Sequence, residues 1–278
     1  VSTQAFRRFR REGELLAAFD HPYVVRGRAF ELEGREVPFL ELELIAGKNL
    51  AEVAEASREG RVPAELLIPL ALRFLEGLHY VHERNNARGE PMGIVHRDVS
   101  PHNLMVTFEG QPKLIDFGIA HRADQQLTAA ERPLMGKPGY VAPEQALQQP
   151  IDRRSDLYSF AVSLFELLTG RPVVDPRLDL AAMREAVVHD PLPALGAAWP
   201  APLTAVLERA AAKDPEARFP TARALAQALD EATRNLPRSG PDAIGRYLVD
   251  RFEAEHQELI RLEEAAYNEE QTAFPTAV

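Results

Sequence analysis

The chain has 278 residues, enough for one two-lobed domain or two small ones, and sets 32 Lys and Arg against 42 Asp and Glu for a formal charge of −10. That balance gives no electrostatic case for nucleic acid or an anionic membrane surface as a partner. Cysteine is absent, which excludes disulfides and thiolate metal sites, and no apolar run nears the ~18 residues of a membrane helix. With no signal-peptide pattern either, the expected location is cytoplasmic.

In chain order, residues 6–19 carry Phe6, Phe9, Leu15, Leu16 and Phe19 among Arg and Glu, the spacing of an amphipathic helix. Asp20-His21-Pro22 should end it, because the residue before a proline is pushed out of the helical region. Two β-like runs follow, 24–32 and 37–45, split by the turn Glu33-Gly34-Arg35. Residues 50–56 read as a short helix. Pro63 suits the start of the next, which should run to about Glu83, with Pro69 bending it or marking a later start. The run DLYSFAVSLFELLT (156–169) is apolar on nearly all sides and predicts a buried central helix, capped by Ser155 and ended by Gly170 and Pro172. Helices are expected at 179–188, 202–212 and 221–236, then a linker PRSGP at 237–241. Ile244, Leu248, Phe252, Leu259 and Leu262 lie near one helical face, predicting an appended helix to about Asn268 that packs on the preceding domain. Few strands followed by many helices describe an α+β chain.

Chemistry concentrates in GIVHRDVSPHNLMV (93–106) and LIDFGIA (114–120). They set Asp98, Asn103 and Asp116 at offsets of 5 and 18. Oxygen ligands on short loops suit Mg²⁺, which favours one or two carboxylates plus substrate phosphates. A further carboxylate can accept a proton from an attacking hydroxyl. The order H-R-D-x-x-x-x-N then D-F-G resembles the catalytic signature of protein kinases, over roughly residues 6–236. The wording of GIVHRDVS and SPHNL is similar to bacterial eukaryotic-like serine/threonine kinases.

The resemblance implies a two-lobe fold with a mainly helical large lobe and a small lobe reduced to one helix and two strands. Residues 1–47 would be the small-lobe remnant, 48–236 the large lobe, and 237–278 a linker with a helical extension. It implies ATP and Mg²⁺ as cofactors, with Mn²⁺ as a substitute, a protein substrate, and a kinase–kinase dimer for autophosphorylation. Asp98 would accept the substrate proton, and Asn103 and Asp116 would hold metal. Leu42 would border the adenine, Glu43 and Ile45 would offer backbone hydrogen bonds, and Met105 would lie beneath the base. Glu12 matches the helix glutamate, His96 and Arg97 frame Asp98, and Phe117 and Gly118 complete D-F-G. Ala142-Pro143-Glu144, 28 residues after Asp116, would pair through Glu144 with Arg218 of KDPEARF (213–219). Asp156 would hold the catalytic-loop backbone. Thr128 is the candidate activation-loop phosphosite, clamped by Arg97.

Two departures stand out. The family's lysine two residues after the catalytic Asp is replaced by Ser100, and the threonine of Gly-x-Pro-x-Tyr by Lys137. Lys137 is therefore expected to supply the cation that Ser100 cannot. No G-x-G-x-x-G and no strand lysine occur, and the first residue is Val, so a fragment, weak or inactive by itself, is expected. A pseudokinase scaffold is the alternative. A small-molecule phosphotransferase is a third reading, opposed by the Ala-Pro-Glu and Arg218 motifs.

Overall fold

A computed structural model describes residues 13, 16–30, 39–86, 88–116, 121–122 and 137–273. The two β-like runs form a hairpin, β1 (Gly27–Phe30) antiparallel to β2 (Phe39–Leu42), with Gly27 opposite Leu42. A second sheet joins β3 (Gly47–Asn49) to β5 (Leu104–Thr107) and β5 to β6 (Pro112–Leu114), all antiparallel. Between them β4 (Ile94–Val95) pairs with β7 (His121–Arg122). The signature runs therefore sit on tight loops between short strands.

Helix α1 (Leu50–Glu55) starts in a capping box: the Asn49 side chain accepts from the Glu52 N–H at 3.0 Å while the Glu52 carboxylate accepts from the Asn49 N–H at 3.2 Å. Helix α2 (Ala64–His82) contains Pro69 inside it, so the proline does not mark a later start. A proline there strands the carbonyl four residues earlier. That carbonyl, on Glu65, instead accepts the Ser239 N–H of the linker at 2.7 Å. The tertiary fold supplies the bond that the helix cannot.

Four residues form α3 (Pro143–Ala146), and α4 (Arg153–Thr169) is buried on almost every side. Its cap corrects the sequence expectation: Asp152 accepts from the Arg154 N–H at 2.8 Å, and Ser155 lies inside the first turn. Gly170 ends it at φ 67°, the left-handed position that favours glycine. Next come α5 (Leu180–His189), α6 (Ala201–Ala210) and α7 (Ala222–Ala232), the first and third capped by Asp179 and Thr221.

The extension is two helices, α8 (Pro241–Val249) and α9 (Glu253–Ala273), rather than one. Ile244, Leu248 and Phe252 join the main core, whereas Leu262 is 56% exposed. Phe252, just past the end of α8, is thereby turned into the core. The approach is backbone to backbone: a Cβ on Gly245 would lie 2.3 Å from the Phe108 carbonyl oxygen, and one on Gly110 2.1 Å from that of Pro241. Among the described residues no helix is long and apolar enough to cross a membrane.

Candidate active site

The loop between β4 and β5 is held from below by one carboxylate. Asp156, on the first turn of α4 and without solvent exposure, accepts the His96 and Arg97 backbone N–H groups, each at 2.8 Å. His82 at the end of α2 adds its Nε2 at 2.8 Å. Burial alone would push the Asp156 carboxyl up, but the His82 contact and the backbone bonds outweigh it and hold the group below its ordinary value. His96 then reaches the Ile115 carbonyl through Nε2 at 3.0 Å, tying the loop to the strand that leads to Asp116. Arg97 and Asp116 both adopt left-handed backbone, φ 70° and 63°. For residues with side chains this is strain held by surrounding structure, and it collects at functional sites.

Asp98 presents its carboxylate above this platform, with a side chain 12% exposed. Asn103 Nδ2 donates to the Asp98 carbonyl and to Oδ2, both at 2.8 Å. This commits the amide nitrogen to Asp98 and turns its Oδ1, a hard oxygen, toward other use. Asp116 is exposed beyond β6. An amide oxygen and an exposed carboxylate are a donor set that fits Mg²⁺ keeping several waters. Among the described residues no cluster of three His, Asp or Glu forms a self-contained metal cage.

Lys137 and Ser100, far apart in sequence, meet over Asp98. The Lys137 N–H donates to Asp98 Oδ1 at 3.2 Å, and its Nζ lies 3.4 Å from Oδ2 and 3.3 Å from Ser100 Oγ. These contacts are long, and the lysine is 36% exposed, so the ammonium is adjustable rather than locked.

Beneath this loop lies a tighter pair. Arg218 grips Glu144 twice, Nη1–Oε1 at 2.7 Å and Nη2–Oε2 at 2.8 Å, with 0% and 4% exposure. Its remaining donors reach the carbonyls of Ala212, Arg154 and Lys213, and Ser155 Oγ donates to Glu144 at 2.6 Å. Every donor of the guanidinium is used, which is what a buried charge requires.

At the other edge, Leu42 is 50% exposed and Met105 half-buried on β5. The Glu43 N–H already donates to the Arg26 carbonyl at 3.0 Å, and its carboxylate pairs with Lys113 at 2.6 Å. The Glu43 N–H is thereby used within the protein, while the Ile45 N–H has no backbone partner among the described residues. Glu12, Phe117, Gly118 and Thr128 lie outside the described residues. Sequence reasoning missed His82 and Gln145, whose Nε2 donates to the Arg97 carbonyl at 3.1 Å. The one signal for His82 was a histidine on the apolar face of a long helix. For Gln145 it was a polar residue directly after Ala142-Pro143-Glu144.

A family model described as protein kinase domain matches residues 1–229. A tyrosine-protein kinase, MasK of Myxococcus xanthus, is 34% identical over 88% of this chain and 38% of its own length. The serine/threonine-protein kinase PksC of Streptomyces coelicolor is 36% identical over 80% of this chain and 40% of its own. PknB of Mycobacterium tuberculosis, also named a serine/threonine-protein kinase, is 31% identical over 86% and 38%. The chain thus spans about two fifths of the length of these relatives.

Proposed function

The chain belongs to the protein kinase family, and from that premise we propose that it transfers the γ-phosphate of ATP to a protein serine or threonine hydroxyl. The observation that carries this is the meeting of Asp98, Asn103, Lys137 and Ser100 over one carboxylate. The incoming hydroxyl gives its proton to an Asp98 oxygen as its own oxygen forms the bond to phosphorus, and the bond to the ADP oxygen breaks. Lone pairs remain on Asp98 for this despite its three donors. Lys137 Nζ, within reach of Ser100, stands where a cation can balance the spreading charge of the transferred group. Asn103 Oδ1 and Asp116 would hold Mg²⁺, which when bound neutralises phosphate charge. Ile45 and Glu43 would present the hinge donor and acceptor to adenine, with Leu42 and Met105 along its faces. Glu144, Arg218 and Asp156 act as scaffold.

Support for serine and threonine comes from the names of PksC and PknB, and from Pro101 and the Gly-Lys-Pro-Gly-Tyr loop. MasK carries a tyrosine name, so acceptor choice is tested directly. In a form of the protein that also carries a glycine-rich loop and a strand lysine, labelled ATP and a mixed protein acceptor should yield phosphoserine or phosphothreonine that disappears in Asp98→Asn. Phosphotyrosine alone would refute the acceptor assignment, and label persisting in Asp98→Asn would refute the site.

A further inference from the structure

On the face away from the catalytic loop, the start of α2, the end of α4 and helix α8 line a half-open cavity of about 340 Å³. That volume is within the range of small-molecule sites, about 300–1,000 Å³. Its walls are Val62, Pro63, Ala64 and Leu168, with Trp199 and Tyr247 as aromatic sides. The Tyr247 ring is fixed, because its hydroxyl and Ser57 Oγ hydrogen-bond at 2.7 Å.

The polar groups at this cavity are strongly one-sided. Arg58, Arg61 and Arg251 line it against a single acid, Glu65, in a chain of net charge −10. Arg61 pairs with Glu59 at 2.8 Å, both about half exposed. Among the described residues no carboxylate pairs with Arg58 or Arg251. Arg251 instead lies 3.5 Å from the centroid of the Tyr247 ring and donates to the Tyr247 carbonyl. The first turn of the 19-residue α2 opens here without a side-chain cap, because Pro63 occupies the cap position. Helix starts favour negative charge, which adds to the arginines.

We propose that this cavity binds a small amphipathic anion, an apolar body against Trp199 and Tyr247 with a carboxylate or phosphate head on Arg58 and Arg251. Apolar walls with a few convergent polar groups are the general form of such sites. Paired guanidinium forks suit both head groups. The site depends on α8, so its occupant would also clasp the C-terminal extension to the large lobe.

Trp199 is the chain's one tryptophan, so its fluorescence reports on this cavity alone. The 278-residue chain is titrated with 4-phenylbutyrate, phenethyl phosphate and the uncharged 4-phenylbutanol, exciting where the phenyl ring does not absorb. The expected result is a saturable change with at least one anion at Kd below about 1 mM, about tenfold tighter than the alcohol. Which anion binds more tightly identifies the head group. Arg58→Ala with Arg251→Ala, at exposed positions, should weaken that anion about tenfold with an unchanged melting temperature. Asp116→Asn and removal of Mg²⁺ should leave it unaltered, which separates this site from the catalytic one. No saturation with either anion, equal binding of the alcohol, or equal binding by the double variant would overturn the proposal.

Discussion

Two carboxylate–cation contacts lie one above the other in the large lobe and are built on opposite principles. Glu144–Arg218 is short, two-pronged, sealed from water and complete in its hydrogen bonds. Asp98–Lys137 is long, single-pronged at the ammonium and partly open, with Ser100 beside it. A buried charge without full pairing costs several kcal/mol, so the lower contact cannot loosen. A group that must exchange protons and meet a substrate cannot be sealed in that way. The difference teaches where damage will appear: below, in stability; above, in rate.

Exchanging the two readouts would break that comparison. Asp98→Asn should lower phosphotransfer by about 10²–10⁴-fold, the usual worth of a positioned base, with the melting temperature unchanged. A large thermal shift would make Asp98 a scaffold residue. Arg218→Ala should cost ~3–5 kcal/mol in urea unfolding, because it strands the buried Glu144 charge. If the midpoint hardly moves, the lower contact is not the anchor described.

Asp156 supplies a pH test of the same platform. Its carboxyl is held below the ordinary value of 3.8, so the native state favours the charged form. A lowered carboxyl contributes stability that is complete above the unfolded value, about pH 4, and lost as pH falls through the folded one. Urea midpoints should fall as pH drops below about 4, and Asp156→Asn should flatten that fall. An identical acid profile in the variant would assign the loss to other groups.

The smallest effect sharpens rather than breaks the comparison. Lys137→Ala should slow phosphotransfer by roughly several-fold to tenfold, as expected for one adjustable surface-near charge. Ser100→Lys with Lys137→Thr should recover the lost rate. Silence in Lys137→Ala would mean the exchange of positions carries no function.

Much of this was legible beforehand because it depends on local rules. The α4 run is apolar all round, and such a helix has nowhere to go except the core. The short loops that carry Asp98, Asn103 and Asp116 were legible through the spacing of those residues. The Ser155 cap was misread because Asp152, three residues earlier, offers the same chemistry and the sequence does not rank them. The single appended helix was misread because periodicity ran on through Asp250 to Phe252, where the chain breaks so that Phe252 can enter the core. That Pro69 lies inside α2 rather than at a later start was not legible, because the bond its stranded Glu65 carbonyl accepts comes from Ser239.

The sequence by itself determined the α+β class, the order of elements, the residue types of the catalytic run and the two substitutions at Ser100 and Lys137. Those follow from propensity, periodicity and spacing, which act over a few residues. Only the tertiary structure decided that His82 joins Asp156 under the catalytic loop, that Gln145 ties the Arg97 carbonyl of that loop, and that α8 lines an arginine-rich groove. Each is a contact between segments distant in the chain, made by packing that no local pattern encodes.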